Sequence, residues 1–145
     1  FRVFDMASVG AYYREDLAIQ NLLREFPKTF INYSDKEFEK YVYINWWGNE
    51  KGAKLEVYED NKPLRVRQIH QADPLYVATS PAVSYKQHRG SNKPRYARNN
   101  CQHMFRVQRN SLTSTIKVVV RDPFGGVSEE IFTGTKPFVV KSTSK

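Results

Sequence analysis

The sequence contains a single cysteine, Cys101, and no long apolar segment. One cysteine cannot form an intrachain disulfide, which excludes a small scaffold held together by disulfides. The longest apolar runs, such as 116–120, have the length of a strand, whereas a membrane helix needs about 20 apolar residues. No basic segment followed by an apolar run opens the chain, so we expect a mature or trimmed product without a signal peptide or a membrane span.

The sequence also lacks the motifs of common catalytic sites. It has no P-loop, no dinucleotide-binding glycine pattern, no Gly-x-Ser-x-Gly elbow and no His-Glu-x-x-His helix. A binuclear hydrolase clamps its substrate with two metal ions and needs several His, Asp and Asn ligands. Three scattered histidines, His70, His88 and His103, cannot build such a centre. We therefore predict no catalytic residue, no metal site and no cofactor in this chain.

The best local candidate for a metal site pairs Cys101 with His103, which would share one face of a strand. His70 and Asp73 are the residues that could join them in a zinc site. The alternative is a buried thiol and a histidine where a loop meets a strand. We favour this alternative because the spacing is common and no complete ligand set is evident.

The remaining composition is that of a globular chain rich in strands, with 40% hydrophobic and 14% aromatic residues. From residue 41 onward, short β-branched and aromatic runs alternate with turn signals such as Asp60-Asn61, a pattern that predicts hairpins. Strands are expected at 1–5, 41–47, 54–59, 64–69, 75–79, 103–107, 113–121 and 127–132. Short strands at this spacing predict a mostly β fold, an antiparallel β-sandwich.

One peripheral helix is expected near the N-terminus, outside the sheets. Apolar residues recur at near-helical spacing over 13–26, and Pro27 would end the helix. Ser8 is a plausible N-cap. The polar tail 134–145 is expected to fray. These elements together predict a single domain over residues 1–145.

Positive charge is concentrated in the second half of the chain. Residues 1–60 hold 8 Lys/Arg and 11 Asp/Glu, a net of −3, whereas residues 61–145 hold 15 and 4, a net of +11. Residues 80–100 have almost no apolar period and predict a long loop. The range 85–109 contains seven basic residues and no acidic one, and this basic block could bind an anionic partner, although most charge runs are solvated faces. Nucleic-acid binding is disfavoured because no recognition motif accompanies the block.

The adjacent Trp46 and Trp47 are further candidates for contact with a partner. Consecutive strand residues point to opposite faces, so one indole is expected in the core and the other at the surface or a domain interface. A stacking platform for a sugar or nucleobase is the alternative. The candidate interaction surface therefore comprises Trp46, Trp47, Lys86, Arg89, Lys93, Arg95 and Arg98.

An ordered series of segments from Tyr41 onward resembles the C-terminal domain of bacterial calcineurin-like phosphoesterases. The series begins with the aromatic strand 41–47, Lys-Leu-Glu-Val-Tyr-Glu-Asp at 54–60, Asn-Lys-Pro-Leu at 61–64 and Asp-Pro-Leu at 73–75. It continues with His-Met-Phe-Arg-Val at 103–107, Thr-Ile-Lys-Val-Val at 115–119 and Asp-Pro-Phe-Gly-Gly-Val at 122–127. The last turn usually reads Asp-Arg-Phe-Gly in that family, so Pro123 departs from the pattern. Residues 1–5 are similar to its opening strand, whereas 7–40 match poorly.

The resemblance implies a multidomain parent enzyme with a central metal-dependent phosphoesterase domain. The divalent metals and their ligands would belong to that domain, and this chain would be a non-catalytic accessory domain that packs on it or shapes access to it. The resemblance further implies a bacterial, exported parent, periplasmic or extracellular. A free-standing binding module for carbohydrate or for an anionic ligand such as nucleic acid remains the alternative.

Overall fold

The computed structural model of the chain describes residues 1–25, 36–47, 51–69, 73–79 and 103–140. These residues form eight strands, which are β1 (Arg2–Asp5), β2 (Tyr41–Asn45), β3 (Lys54–Glu59), β4 (Lys62–Leu64), β5 (Arg67–Ile69), β6 (Met104–Gln108), β7 (Thr115–Arg121) and β8 (Val127–Thr133). They also form three α-helices, α1 (Met6–Glu15), α2 (Leu17–Glu25) and α3 (Pro74–Thr79), and the 3₁₀ helix Lys36–Lys40.

The strands form two four-stranded antiparallel sheets that pack face to face. Sheet 1 has the order β1-β2-β6-β5, and sheet 2 has the order β4-β3-β7-β8. One apolar cluster joins them, with Val42 and Ile44 from sheet 1 against Val57 and Val118 from sheet 2. This arrangement confirms the predicted antiparallel β-sandwich, in which alternate side chains of each strand face the other sheet.

The first hairpin of sheet 2 confirms the turn expected from its sequence. Asp60 and Asn61 both have positive φ, 48° and 67°, as a two-residue hairpin loop requires. The following strand is shorter than the expected 64–69, because the chain changes sheets there. Leu64 ends β4 beside β3, whereas Arg67–Ile69 pairs with β6 in sheet 1.

The helical layer covers the outer face of sheet 1, so this sheet is buried on both sides. Met6, Val9 and Tyr13 of α1 and Val77 of α3 share a second cluster with Tyr43 of β2. Four of the five β2 residues are buried, which explains why that strand is apolar without alternation. No helix among the described residues is long and apolar enough to cross a membrane.

The expected helix near the N-terminus is confirmed, but its bounds of 13–26 are wrong, because two helices share this region. Asp16 separates them in an extended conformation, with φ −97° and ψ 108°, and its carboxylate accepts a hydrogen bond from the Ile19 amide (3.2 Å). An aspartate that caps the next turn in this way interrupts a continuous helix. The N-cap of α1 is Asp5 and not Ser8, since the Asp5 carboxylate accepts from the Ala7 amide (3.4 Å).

The strand expected at 75–79 is also wrong, because Pro74–Thr79 is helical. The Asp73 carboxylate accepts a hydrogen bond from the Leu75 amide (2.7 Å), and the Asp73 carbonyl accepts one from the Val77 amide (3.0 Å). Asp73 therefore caps the helix, and Pro74 stands at the first helical position, where its missing N–H costs nothing.

The first part of the C-terminal tail is anchored, contrary to the predicted fraying. Lys136 donates from its backbone amide to the Asp5 carboxylate (3.2 Å) and from Nζ to the Val3 carbonyl (3.0 Å). Phe138 packs 5.2 Å from the Tyr12 ring centroid. An aromatic ring that gains such contacts offsets the entropy of ordering its segment. Residues 141–145 lie outside the described part of the chain, so the expectation for them stays a prediction.

Candidate interaction surface at one end of the sandwich

The two ends of the sandwich can be told apart by where the strands begin and end. At one end, named here the Arg109 end, Asp5 ends β1 and Glu59 ends β3. The connection from β6 to β7 also lies there, and it begins at Arg109 and ends at Ser114. All strand pairs are antiparallel and in register, so the other end contains Arg2, Asn45, Met104, Lys54, Arg121 and Val127. We name this second end the Trp47 end.

The two tryptophans have different environments, as the alternation of strand residues predicts. Trp46 is 5% exposed and packs against Phe105 at 5.6 Å between ring centroids, so it belongs to the core and not to an interaction surface. Trp47 is 56% exposed, and the Arg2 guanidinium lies 5.8 Å from its ring centroid. Of the predicted pair, only Trp47 can contact a partner.

Beside Trp47, a buried polar chain joins three elements. Asn45 Nδ2 donates a hydrogen bond to the Asp73 carboxylate. The Asn45 amide oxygen, Oδ1, lies 2.6 Å from His103 Nδ1. An amide oxygen only accepts, so this geometry assigns the imidazole proton to Nδ1. Asn45 and Asp73 are both nearly inaccessible, at 6% and 8% exposed. These hydrogen-bonded side chains therefore connect the end of β2, the start of α3 and the residue that precedes β6.

Of the four residues of the candidate metal site, the structure describes only Asp73 and His103. Among the residues that the structure describes, no group of three or more His, Cys, Asp or Glu side chains could hold a metal ion. Asp73 and His103 do approach each other, but an amide side chain connects them. His70 and Cys101 lie outside the described residues. Asn45 was missed because one polar residue in an aromatic strand gives no sign of its partners.

The basic residues proposed for the surface have two different outcomes. Lys86, Arg89, Lys93, Arg95 and Arg98 all lie outside the described residues, so their part of the prediction stays a prediction. In the sequence, the segment that carries them follows α3 and ends at His103, which lies in the polar chain beside Asn45. The positive segment is therefore tied at its C-terminal side to the Trp47 end.

Arg109, the last residue of the basic block, is structural. Its side chain is fully buried and donates to the carbonyls of Ser111 (2.7 Å), Gly134 (2.8 Å) and Ser114 (2.9 Å). The Asp5 carboxylate lies 3.9 Å away and is equally buried. Burial raises the pKa of Asp5, against the Ala7 hydrogen bond and the Arg109 charge, which lower it. Arg109 thus ties both sheets and the tail together.

Glu59 completes the closure of the Arg109 end. Its carboxylate accepts hydrogen bonds from the amides of Asn110 (2.9 Å) and Ser111 (3.1 Å) and from the Ser114 hydroxyl (2.5 Å). Burial is the largest influence and acts to raise the pKa of Glu59, but the hydrogen bonds from Ser114, Asn110 and Ser111 together outweigh it and lower that pKa. The charged side chains of Asp5, Glu59 and Arg109 are therefore all engaged by groups within the module.

The β7–β8 turn, residues 122–126, adds a feature that the sequence reading missed. Phe124 at its tip is 91% exposed, although the ring is large and apolar. The Asp122 carboxylate accepts hydrogen bonds from the amides of Phe124 and Gly126, both at 2.8 Å. The turn itself was expected from its Asp-Pro-x-Gly-Gly sequence. The same sequence could have predicted that Phe124 lies at the tip of the turn.

The fold defines a class: a two-sheet antiparallel sandwich with helices on one face and an exposed aromatic end. A family model described as the C terminal of calcineurin-like phosphoesterase matches residues 7–127. The chain belongs to this family, and such a domain belongs with a catalytic domain in its parent polypeptide. The match includes 7–40, which the sequence reading had judged poor. Comparisons with curated proteins and with solved structures each returned no match.

Proposed function

We propose that this chain is the non-catalytic accessory domain of a multidomain metallophosphoesterase, and that it packs on the catalytic domain and shapes access to its active site. The family membership supports the parent activity, with divalent metals held by the catalytic domain. We further propose an exported, bacterial parent, on the resemblance alone.

The exposure of Trp47 carries the proposal that the module packs on another domain. Tryptophan is among the most common anchors of protein interfaces. Trp47 is 56% exposed, because the core of this module covers less than half of it. The nearby Arg2 guanidinium adds a donor that an interface can use. Any polypeptide that precedes β1 joins the module at this same end, since Arg2 opens β1.

Positive charge supports a role near an anionic substrate. The segment between α3 and β6 contains five basic residues and ends in the sequence at His103, beside the polar chain at the Trp47 end. A phosphoester that approaches a cleft lined by this end would be attracted over the Debye length of about 8 Å at physiological salt. The accessory domain would then affect substrate capture and leave the chemistry to the metal centre.

Charge reversal in the parent enzyme tests substrate capture. The double substitution Arg95→Glu and Arg98→Glu should raise KM for an anionic phosphoester, on the order of tenfold at low salt, with kcat nearly unchanged. Lys62→Glu with Arg65→Glu is the matched control, because it makes the same charge change at two exposed residues outside the basic segment. Equal effects of the two double variants, or none, would remove the basic segment from the proposal.

Photo-crosslinking tests the packing. When Trp47 of the parent enzyme is replaced by p-benzoyl-phenylalanine, irradiation should attach position 47 to a peptide of the catalytic domain. If the module instead works alone, the 145-residue chain should bind a carbohydrate or an anionic ligand by itself, and binding to the anion should weaken with salt.

A further inference from the structure

The side chain of Phe124 is exposed in a way that folding does not explain. At 91%, its exposed fraction is the highest among the large apolar side chains that the structure describes, ahead of Val139 at 70%. Burying a Phe ring yields roughly 2 kcal/mol, so a ring left in water contributes almost nothing to the stability of this module. The turn needs no aromatic residue at this position.

The turn that carries Phe124 is held by its own hydrogen bonds. Besides the two bonds to its carboxylate, Asp122 donates its amide to the Gly126 carbonyl (2.9 Å) and accepts from the Gly125 amide (3.3 Å). Gly125 has φ +95°, which disfavours other residues there. A Cβ on Gly126 would overlap the Asp122 carboxylate, so both glycines suit this one conformation. The ring is therefore presented from a preorganised backbone.

Phe124 and Trp47 lie close enough to contact the same partner. A Cβ on Gly52 would be 3.2 Å from the Pro123 Cβ, so the chain that leaves Trp47 reaches the β7–β8 turn by residue 52. Five residues span at most about 18 Å. A standard interface covers about 800 Å² on each partner, which corresponds to a patch about 30 Å across. Both aromatic rings fit within one such patch, together with the exposed Val127.

We propose that Phe124 is an anchor that inserts into an apolar pocket of the catalytic domain in the same polypeptide, and that it forms one interface with Trp47. This inference rests on the proposed accessory function. The occupant is the catalytic domain because the family is a C-terminal domain of such enzymes, and because Arg2, which opens β1, lies 5.8 Å from the Trp47 ring centroid within the same patch. Two domains of one polypeptide meet at a raised effective concentration, so two aromatic anchors, one of them on a preorganised turn, suffice for docking.

The experiment places p-benzoyl-phenylalanine at position 124 of the parent enzyme and maps the crosslinks by mass spectrometry. The matched control is position 112, because Leu112 is also an exposed apolar residue, at 41%, but lies at the Arg109 end. The expected result is an intramolecular crosslink from position 124 to the catalytic domain and none from position 112. Circular dichroism checks that each variant keeps its strand content.

Four results would overturn the inference. Crosslinks from position 124 that join two copies of the chain would show that a second molecule occupies the patch. Equal crosslinking from positions 112 and 124 would show contact without an anchor. A crosslink from position 47 with none from position 124 would refute the role of Phe124 and leave the proposed accessory function standing. Crosslinks from neither position 47 nor position 124 would refute both.

Discussion

The two ends of the sandwich differ in which side chains they bury and which they expose to solvent. At the Arg109 end, charged side chains are buried and bonded to each other, with the Arg109 guanidinium and the Asp5 carboxylate both inaccessible to solvent. At the Trp47 end, large aromatic rings stand in water at Trp47 and Phe124. The first arrangement stabilises the module, and the second contributes little to it. The difference indicates which end is available for a partner.

Removal of Arg109 should produce the largest loss of stability. Arg109→Met leaves the Asp5 carboxylate buried without its cation and removes three hydrogen bonds to carbonyls, those of Ser111, Ser114 and Gly134. Breaking a buried pair from one side costs about 3–5 kcal/mol, measured as the free energy of unfolding in urea. The control Arg67→Met removes an exposed arginine of β5 and should cost less than about 0.5 kcal/mol. Similar losses in both variants would contradict the buried role of Arg109.

Glu59→Gln should cost less, and its cost should depend on pH. A charged acceptor with several donors contributes about 2 kcal/mol at neutral pH. The pKa of Glu59 is lower in the folded chain than its ordinary value of 4.5, so the unfolded chain binds the proton first. The contribution is therefore constant above pH 4.5 and shrinks as the pH falls through the folded pKa. The raised pKa of Asp5 acts with the opposite sign but is shared by both proteins. A pH-independent difference in unfolding free energy would contradict the paired carboxylate.

The smallest expected effect concerns the turn at the Trp47 end. Gly126→Ala should cost about 1 kcal/mol, because the new Cβ displaces the Asp122 carboxylate from its two amide donors. In an Asp122→Ala background the same substitution should cost nearly nothing, since no carboxylate remains to be displaced. A double-mutant cycle on unfolding free energies measures this coupling. Additive effects would mean that the turn is not held by Asp122.

Much of the sandwich could be predicted from local patterns. Leu55 and Val57 of β3 alternate with charged residues, and Asp60-Asn61 tolerates the positive φ of a tight turn, so the first hairpin follows from the sequence. The helix at Pro74 was missed because the apolar run after it, Leu-Tyr-Val-Ala-Thr, also suits a strand. Only the Asp73 cap distinguishes the two structures, and that signal is short.

The candidate site was predicted less well than the fold. Alternation along β2 required that Trp46 and Trp47 separate, but both faces of sheet 1 are covered, so the pattern could not say which indole would remain outside. Asn45 and Phe124 were both missed. Asn45 bonds to Asp73, which is 28 residues away in the sequence. Phe124 is exposed because no described element packs over its ring.

The sequence by itself determined the strand periodicity, the tight turns and the excess of positive charge after residue 60, because these depend on neighbours within a few positions. The tertiary structure decided which charges are buried and which rings stay exposed. Arg109 and Phe124 both occur in polar, turn-rich surroundings in the sequence, yet one lies in the interior and the other in water. Burial depends on which elements pack over a residue, and that packing is set by contacts between distant parts of the chain.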